Sequence, residues 1–150
     1  MELLEVLIEE ILNLHIVDAI CLSKGGWEGW LQCELWVRLS LARRMTVERE
    51  VPYADGGYCD LVVQGNPELW VELKAFGVFR EGDIPRFLDS VALDVQKLGT
   101  ITIEKKALMI LVIPNRSYEL VKQQIIQRGW LGFLERRATY ASIFYMPVLG

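Results

Sequence analysis

The sequence predicts an α/β fold in which helices flank a mixed β-sheet, an antiparallel meander plus a crossover strand. Helical periodicity dominates residues 2–43, alternation of polar and apolar side chains begins at residue 47, and helical and apolar segments alternate from residue 84 onward. The chain has 150 residues and is 52% hydrophobic, which suits a single domain, residues 1–150, with its own core.

Two helices are expected before the first strand. The first covers residues 2–21, an N-terminal helical extension (residues 1–22) that buries one face, because Leu and Ile recur there at helical spacing. Its acidic residues exclude a membrane-spanning helix, and it lacks the positive start of a signal peptide. After a Ser-Lys-Gly-Gly break, a second helix over residues 27–43 is apolar almost all round and is expected to be largely buried.

A meander of strands follows. Residues 47–53 alternate in polarity, which predicts a strand with Glu48 and Glu50 on one side and the remaining odd-numbered positions on the other: Val47, Arg49, Val51 and Tyr53. An Asp-Gly-Gly turn then leads to a hairpin formed by residues 58–63 and 69–75, whose tip is Gly-Asn-Pro.

The second half of the chain supplies the crossover. Residues 84–98 carry apolar side chains at helical spacing, with Asp83 as the expected N-cap and Pro85 in the first turn. The continuous apolar segment 106–113 is typical of a central strand. A helix over about residues 117–128 and a last strand over residues 139–148 complete the fold.

Charge and cysteine content narrow the classes of function. A net charge of −4 argues against a protein held on nucleic acid by charge alone. The three cysteines, Cys21, Cys33 and Cys59, are an odd number without CxxC spacing, so neither a disulfide framework nor a zinc site is expected and a reducing cytoplasm is the default.

The hairpin carries the residues that indicate chemistry. A five-residue loop over residues 64–68 would place Asp60 opposite Glu72, and side chains that are directly opposed in an antiparallel pair point to the same side. Two carboxylates that close repel each other unless a cation lies between them. Lys74 lies on the same face, while the other face of its strand is apolar.

Hard oxygen ligands at this spacing suit Mg²⁺ or Mn²⁺ better than zinc. A lysine near such an ion can orient or help deprotonate a water, or neutralise charge that builds on a phosphate. The group therefore indicates in-line attack on a phosphodiester bond. The alternative is an ordinary ion pair of Glu72 and Lys74 on a solvated strand face.

Asp60 in "YCDLVV" and Glu72-Leu73-Lys74 in "WVELKA", on a hairpin between helices, resemble the motif of the PD-(D/E)XK nuclease superfamily, although Cys59 stands where that family has proline. The resemblance implies a restriction-endonuclease-like fold, a catalytic and metal-binding role for Asp60 and Glu72, and a catalytic role for Lys74. It also implies a glutamate on the preceding helix as a further catalytic residue and metal ligand, which would be Glu34.

The resemblance also implies accessory polar residues on the helix after the lysine strand, for which Gln96 and Lys97 are the candidates. Simpler structural roles exist for some of these residues. Glu34 could pair with Arg38 one helical turn later, and Lys97 with Asp94.

These observations predict a Mg²⁺- or Mn²⁺-dependent nuclease, with a DNA endonuclease as the favoured form, acting as a homodimer in the cytoplasm without a membrane partner. The aromatic and apolar surface implied by four tryptophans leaves room for such a homodimer: Trp27, Trp30, Trp36 and Trp130. The alternative is a non-catalytic interaction module, or a subunit of a larger complex, that keeps the nuclease fold. Three basic pairs could supply phosphate contacts if the fold gathers them on one side: Arg43-Arg44, Lys105-Lys106 and Arg136-Arg137.

Overall fold

A computed structural model describes residues 1–149 of the chain. The helices are α1 Glu2–Glu5, α2 Ile16–Ile20, α3 Glu28–Val37, α4 Ile84–Leu98 and α5 Tyr118–Gln127. The strands are β1 Val47–Pro52, β2 Tyr58–Val63, β3 Leu69–Ala75, β4 Lys106–Pro114, β5 Leu134–Arg136 and β6 Ala141–Val148. Shorter helical turns of π type, Val6–Ile11 and Arg38–Ala42, and of 3₁₀ type, Val78–Asp83 and Asn115–Ser117, extend or precede the α-helices.

The strands form one six-stranded mixed sheet in the order β1-β2-β3-β4-β6-β5. The first three strands are the antiparallel meander, and β4 lies parallel to β3 after the crossover through α4. β6 then pairs antiparallel with β4, and β5 forms the far edge. The predicted α/β fold with a mixed sheet and flanking helices is confirmed at this level.

Two apolar layers cover the two faces of the sheet. The N-terminal helices and α3 pack on one face, which we call the first core, and α4 and α5 pack on the other, the second core. Strand β3 divides between them, because Val71 and Leu73 lie in the first core and Trp70 lies in the second. Glu72 and Lys74 alternate with the first set and therefore project toward α4.

Strand β1 changes faces at Glu50. The backbone of this residue has a φ of 53°, a left-handed conformation that residues other than glycine adopt rarely. Val47 lies in the first core, whereas Val51 and Tyr53 pack in the second, so the predicted single face for these residues is wrong. The change of face matters for the site, because it brings Tyr53 to the side of the sheet that carries Glu72.

The helices differ from the prediction in two respects. The N-terminal helix is broken into α1, a π-helical turn and α2, although Leu3, Leu7 and Ile11 still bury one face in the first core. Helix α3 and its π-helical continuation are less buried than predicted, because Leu41 is 75% exposed. No helix within residues 1–149 combines the length and the apolar character that a membrane crossing requires.

The carboxyl-terminal elements agree more closely. Helix α4 has the predicted bounds, and Asp83 occupies the N-cap position without a side-chain capping hydrogen bond. The short edge strand β5 was not predicted, since three residues are too few to show a repeat in polarity. Cys33 is exposed, whereas Cys21 and Cys59 are buried, and all three cysteines are free thiols.

The burial of α3 predicts unequal effects of two leucine truncations. Leu35 is fully buried in the first core, so Leu35→Ala should lower the free energy of unfolding by about 2–5 kcal/mol. The exposed Leu41 is the matched control, and Leu41→Ala should change it by no more than about 0.5 kcal/mol. Urea denaturation measures both values. Equal effects would show that this helix does not pack as described.

Candidate functional site

The hairpin has the predicted register, with Val63 opposite Leu69 and Leu61 opposite Val71. The paired ladder between β2 and β3 ends at Leu61 and Val71, and Asp60 is the residue of β2 that precedes Leu61. Its carboxylate Oδ2 accepts a hydrogen bond of 2.8 Å from the backbone N–H of Leu73. A side chain thus takes the position of a strand carbonyl where the two strands separate, which fixes the Asp60 carboxylate beside β3.

Glu72 meets Asp60 on the face toward α4. The Glu72 side chain is 2% exposed, and its Oε1 accepts a hydrogen bond of 2.8 Å from the hydroxyl of Tyr53. Burial, followed by the charges of Asp60 and Asp94, raises the pKa of Glu72 to about 9. Burial and the charge of Asp94 also raise the pKa of Asp60, although the Leu73 N–H and Lys74 oppose the shift. At neutral pH the carboxyl group of Glu72 therefore keeps its proton.

Lys74 is held between the sheet and α4. Its Nζ lies 3.3 Å from Asp94 Oδ2, and the other oxygen of Asp94 lies 3.5 Å from the Nζ of Lys97. Burial lowers the pKa of Lys74, but the negative charges of Glu28 and Asp94 outweigh that effect and the net shift is upward. Lys74 is consequently a cation at neutral pH, oriented by a buried aspartate.

Glu28 is the acid that the helix before the meander brings to this group. It is the first residue of α3, and its Oε1 accepts a hydrogen bond of 3.1 Å from the backbone N–H of Ala75. Burial raises the pKa of Glu28, while Lys74 and the Ala75 N–H oppose that rise. Five charged or ionisable side chains therefore converge where β3 ends: Glu28, Asp60, Glu72, Lys74 and Asp94.

An open cleft of ≈460 Å³ lies beside this group. Glu28 and Lys74 form part of its wall, and Lys24 and Arg80 add two further cations. Because glycine has no Cβ, a ligand can approach the main chain closely at the glycines that line the same wall: Gly25, Gly26 and Gly29.

Glu34, predicted as the helix glutamate, does not join the group. Its Oε2 accepts a hydrogen bond of 3.2 Å from Nε of Arg38, which also contacts Glu10 on the N-terminal segment. Glu34 therefore belongs to an ion-pair network on the surface of α3, and Glu28 is the glutamate of this helix that contacts the end of β3. The signal for Glu28 was its place in the first turn of the helix that follows the glycine-rich break.

The two predicted accessory residues have different positions. Lys97 contacts the site through Asp94, as described above. Gln96 is exposed and lines a separate pocket of ≈350 Å³ with Tyr53 and Lys97. Sequence reasoning missed the roles of Tyr53 and of Asp94 as the partner of Lys74, since both depend on elements distant in the chain.

The predicted basic pairs are not gathered on one side of the protein. Arg43 precedes β1 at one edge of the sheet and pairs with Glu2 and Glu10. Arg136 lies in β5 at the other edge, and Lys105 precedes the central strand β4. These pairs therefore do not form one phosphate-binding surface.

The donor chemistry of the site fits a hard divalent cation. Within residues 1–149 no set of three or more His, Cys, Asp or Glu side chains is arranged to enclose a metal ion. Mg²⁺, however, is usually bound by one or two carboxylates and completes its coordination with water and substrate phosphate. Asp60 and Glu72 supply two such carboxylates, and a cation held by them would replace the proton that Glu72 retains.

Comparisons with protein-family models, with curated proteins and with solved structures find no significant match to this chain. The case for a function therefore depends on the geometry of the site and on the residues that form it.

The raised pKa of Glu72 predicts that stability depends on pH. The folded state holds the proton up to pH of about 9, whereas the unfolded chain loses it near the ordinary value of 4.5. Without divalent ions, the free energy of unfolding should therefore fall as the pH rises from 5 to 9, by at most about 1.4 kcal/mol per pH unit for one proton.

Glu72→Gln mimics the protonated carboxyl group and should flatten this dependence in urea denaturation at several pH values. Glu104→Gln, at an exposed loop position, is the control and should leave the slope unchanged. A wild-type stability that stays level or increases over this pH range would contradict the proton retained by Glu72.

Proposed function

We propose that the protein is a metal-dependent nuclease of the PD-(D/E)XK type, with a restriction-endonuclease-like fold, that hydrolyses phosphodiester bonds and acts on DNA in its favoured form. The observation that carries the proposal is the convergence of Asp60 and Glu72 where β2 and β3 separate, with Lys74 alongside. A solvated ion pair on a strand face would not need a buried Glu72 or a second aspartate behind Lys74.

Asp60 and Glu72 would hold Mg²⁺ or Mn²⁺, and Glu28, whose pKa responds to the charge of Asp60, would contribute directly or through water. When bound, the ion would supply Lewis-acid polarisation of the phosphate and a lowered pKa for a bound water. Tyr53 supports this arrangement, because its hydroxyl fixes the orientation of Glu72.

Lys74 would stabilise the reaction as a cation. Its contacts with Asp94 and the nearby Glu28 keep it charged, so it can donate hydrogen bonds to an attacking water or to a phosphate oxygen. This role differs from a general base, which would need a neutral amine at the pH of the reaction. Asp94 is a positioning residue in this scheme, since it acts through Lys74.

The surroundings of the site suit a phosphodiester backbone. The cleft beside Lys74 contains Lys24 and Arg80, which place positive charge next to the site in a protein whose net charge is −4. Local positive charge can attract a polyanion even when the whole protein is acidic.

A homodimer, in which each site cuts one strand, remains part of the proposal. Trp27 is 1% exposed and donates its Nε1–H to the carbonyl of Phe76, so it cannot contribute to a dimer surface. Exposed apolar side chains near the edge strand β5 support such a surface better: Leu131 is 82% exposed and Leu134 is 53% exposed.

The second candidate is a non-catalytic module that keeps the fold. The net charge of −4 favours it, because a nucleic-acid enzyme usually carries more positive charge. The buried carboxylates oppose it, since two acids held together without a ligand lower stability at neutral pH.

Cleavage assays on a panel of DNA and RNA forms with Mg²⁺ test the nuclease. Lys74→Met should reduce kcat by about 10²–10³-fold, because it removes a cation from the reacting phosphate. Glu28→Gln should reduce activity by about 10–100-fold, as expected for a residue that supports metal ligands. Glu34→Gln is the matched control on the same helix and should leave activity unchanged. A loss in Glu34→Gln as large as that in Glu28→Gln would contradict the assignment.

Metal binding separates the nuclease from the non-catalytic module. Mn²⁺ at a hundredfold excess over its Kd should stabilise the protein by about 2.7 kcal/mol, measured as a rise in Tm. Asp60→Asn should abolish the rise, whereas Asp55→Asn, an equal change of charge in the exposed turn, should preserve it. A protein whose Tm does not respond to Mn²⁺ would support the non-catalytic module.

A further inference from the structure

An exposed phenylalanine stands at the rim of the cleft. The 3₁₀-helical turn Val78–Asp83 follows β3 directly, and Phe79 within it is 46% exposed. Phe79 and Arg80 line the cleft that contains Lys74, and the same two residues line an adjoining pocket of ≈270 Å³ with Asp83 and Arg86. The aromatic ring therefore lies between the proposed reaction site and a second recess, which is lined by two arginines and one aspartate.

The Phe79 ring packs against the backbone of Gly77. A Cβ at position 77 would clash with Cε1 of Phe79 and lie 2.7 Å from its Cδ1, so the ring packs against the backbone of the glycine. The guanidinium carbon of Arg80 lies 5.4 Å from the ring centroid, within the range of a cation–π contact. The ring is thus supported by the main chain and still accessible to solvent, in contrast to the buried aromatic residues of the two cores.

The cations around Phe79 have no acidic partner. Lys24, Arg80 and Arg86 are exposed, and no carboxylate within residues 1–149 lies within ion-pair distance of any of them. Asp83 lines the same recess as Arg80 and Arg86 but forms no ion pair with either. Elsewhere on the surface of residues 1–149 some cations pair with acids, as Arg38 and Arg128 do, and others, such as Arg44 and Lys106, do not. Positive charge that is left unneutralised in a protein with a net charge of −4 indicates a surface for an anionic ligand.

We propose that Phe79 is a platform on which one unpaired base stacks, while Lys24, Arg80 and Arg86 contact the flanking phosphates, so that the substrate presents single-stranded nucleic acid. This inference rests on the proposed nuclease function and names its substrate class. Aromatic stacking accepts any base, because every base has a π face. The bases within a duplex already stack on their neighbours, so a single ring at the rim can engage only an unpaired base or a frayed end.

The position of the platform connects recognition to the site. Phe79 and Lys74 line the same cleft, so a strand whose base stacks on Phe79 can pass a neighbouring phosphodiester toward Lys74. Overhangs, flaps and single strands share this chemistry, and a blunt duplex lacks it.

Equilibrium binding without cleavage tests the platform. Wild-type protein in EDTA is titrated against a fluorescently labelled single-stranded oligonucleotide and against a blunt duplex of two annealed strands with the same total charge. The single strand should bind at least about tenfold more tightly. Phe79→Leu should weaken single-strand binding by about 5- to 100-fold, as expected for loss of one base–aromatic stack. Phe79→Trp, which keeps an aromatic face, should retain the affinity.

Two further variants distinguish the effect of the Phe79 ring position from the effect of the nearby positive charge. Gly77→Ala should weaken single-strand binding without a change of charge, because the methyl group displaces the Phe79 ring. Arg86→Gln should reduce the slope of log K against log salt by about 0.7, the value for one phosphate contact on a single strand. Lys106→Gln, an equal loss of charge at the opposite end of the parallel strand pair, should leave the slope unchanged.

Equal affinity for single strand and duplex, or equal affinity of the Phe79→Leu and Phe79→Trp variants, would overturn the inference. Binding of polyglutamate as tight as that of the oligonucleotide would also overturn it, since it would show attraction of any polyanion. These outcomes are distinct from failure of the nuclease proposal, which would appear as intact, Phe79-dependent binding with no cleavage in Mg²⁺ or Mn²⁺.

Discussion

The hydrogen bond from the backbone N–H of Leu73 to the carboxylate of Asp60 is the interaction on which the site depends. It forms where the backbone ladder between β2 and β3 ends, so the Asp60 side chain, in place of a backbone carbonyl, accepts the hydrogen bond of the Leu73 N–H. Asp60 is held beside β3 by this bond, and Glu72, which alternates with the core residues Val71 and Leu73, meets it on the face toward α4. The place where β2 and β3 separate therefore carries two neighbouring carboxyl groups, those of Asp60 and Glu72.

Electrostatics then organise the surroundings. Burial raises the pKa values of Glu72 and Asp60, and the charge of Asp60 raises that of Glu72 further, as the charge of Asp94 does for both. Glu28 and Asp94 keep Lys74 charged. The site is rich in acids and retains a proton that a divalent cation could replace. The left-handed backbone of Glu50 contributes as well, because the change of face in β1 brings the Tyr53 hydroxyl to Glu72. Local strain at this point accompanies a contact that the site uses.

Much of this arrangement could be predicted from local sequence. The hairpin register followed from the parity of its loop, and the bounds of α4 followed from its apolar spacing and the glycine after it. The helix glutamate could not be predicted in the same way, because the choice between Glu28 and Glu34 depends on which part of α3 approaches the end of β3. Asp94 presented the same difficulty. At helical spacing it can pair with Lys97, and only the packing of α4 on the sheet shows that it also holds Lys74.

The most direct test of the central claim is the position of a divalent ion. Crystals of the protein grown with Mn²⁺ would locate the ion by its anomalous scattering. The structure predicts a peak between the carboxylates of Asp60 and Glu72, with the Leu73 N–H still bonded to Asp60. A peak elsewhere, or no peak while the two carboxylates keep their present contacts, would contradict the claim that this pair exists to bind a metal.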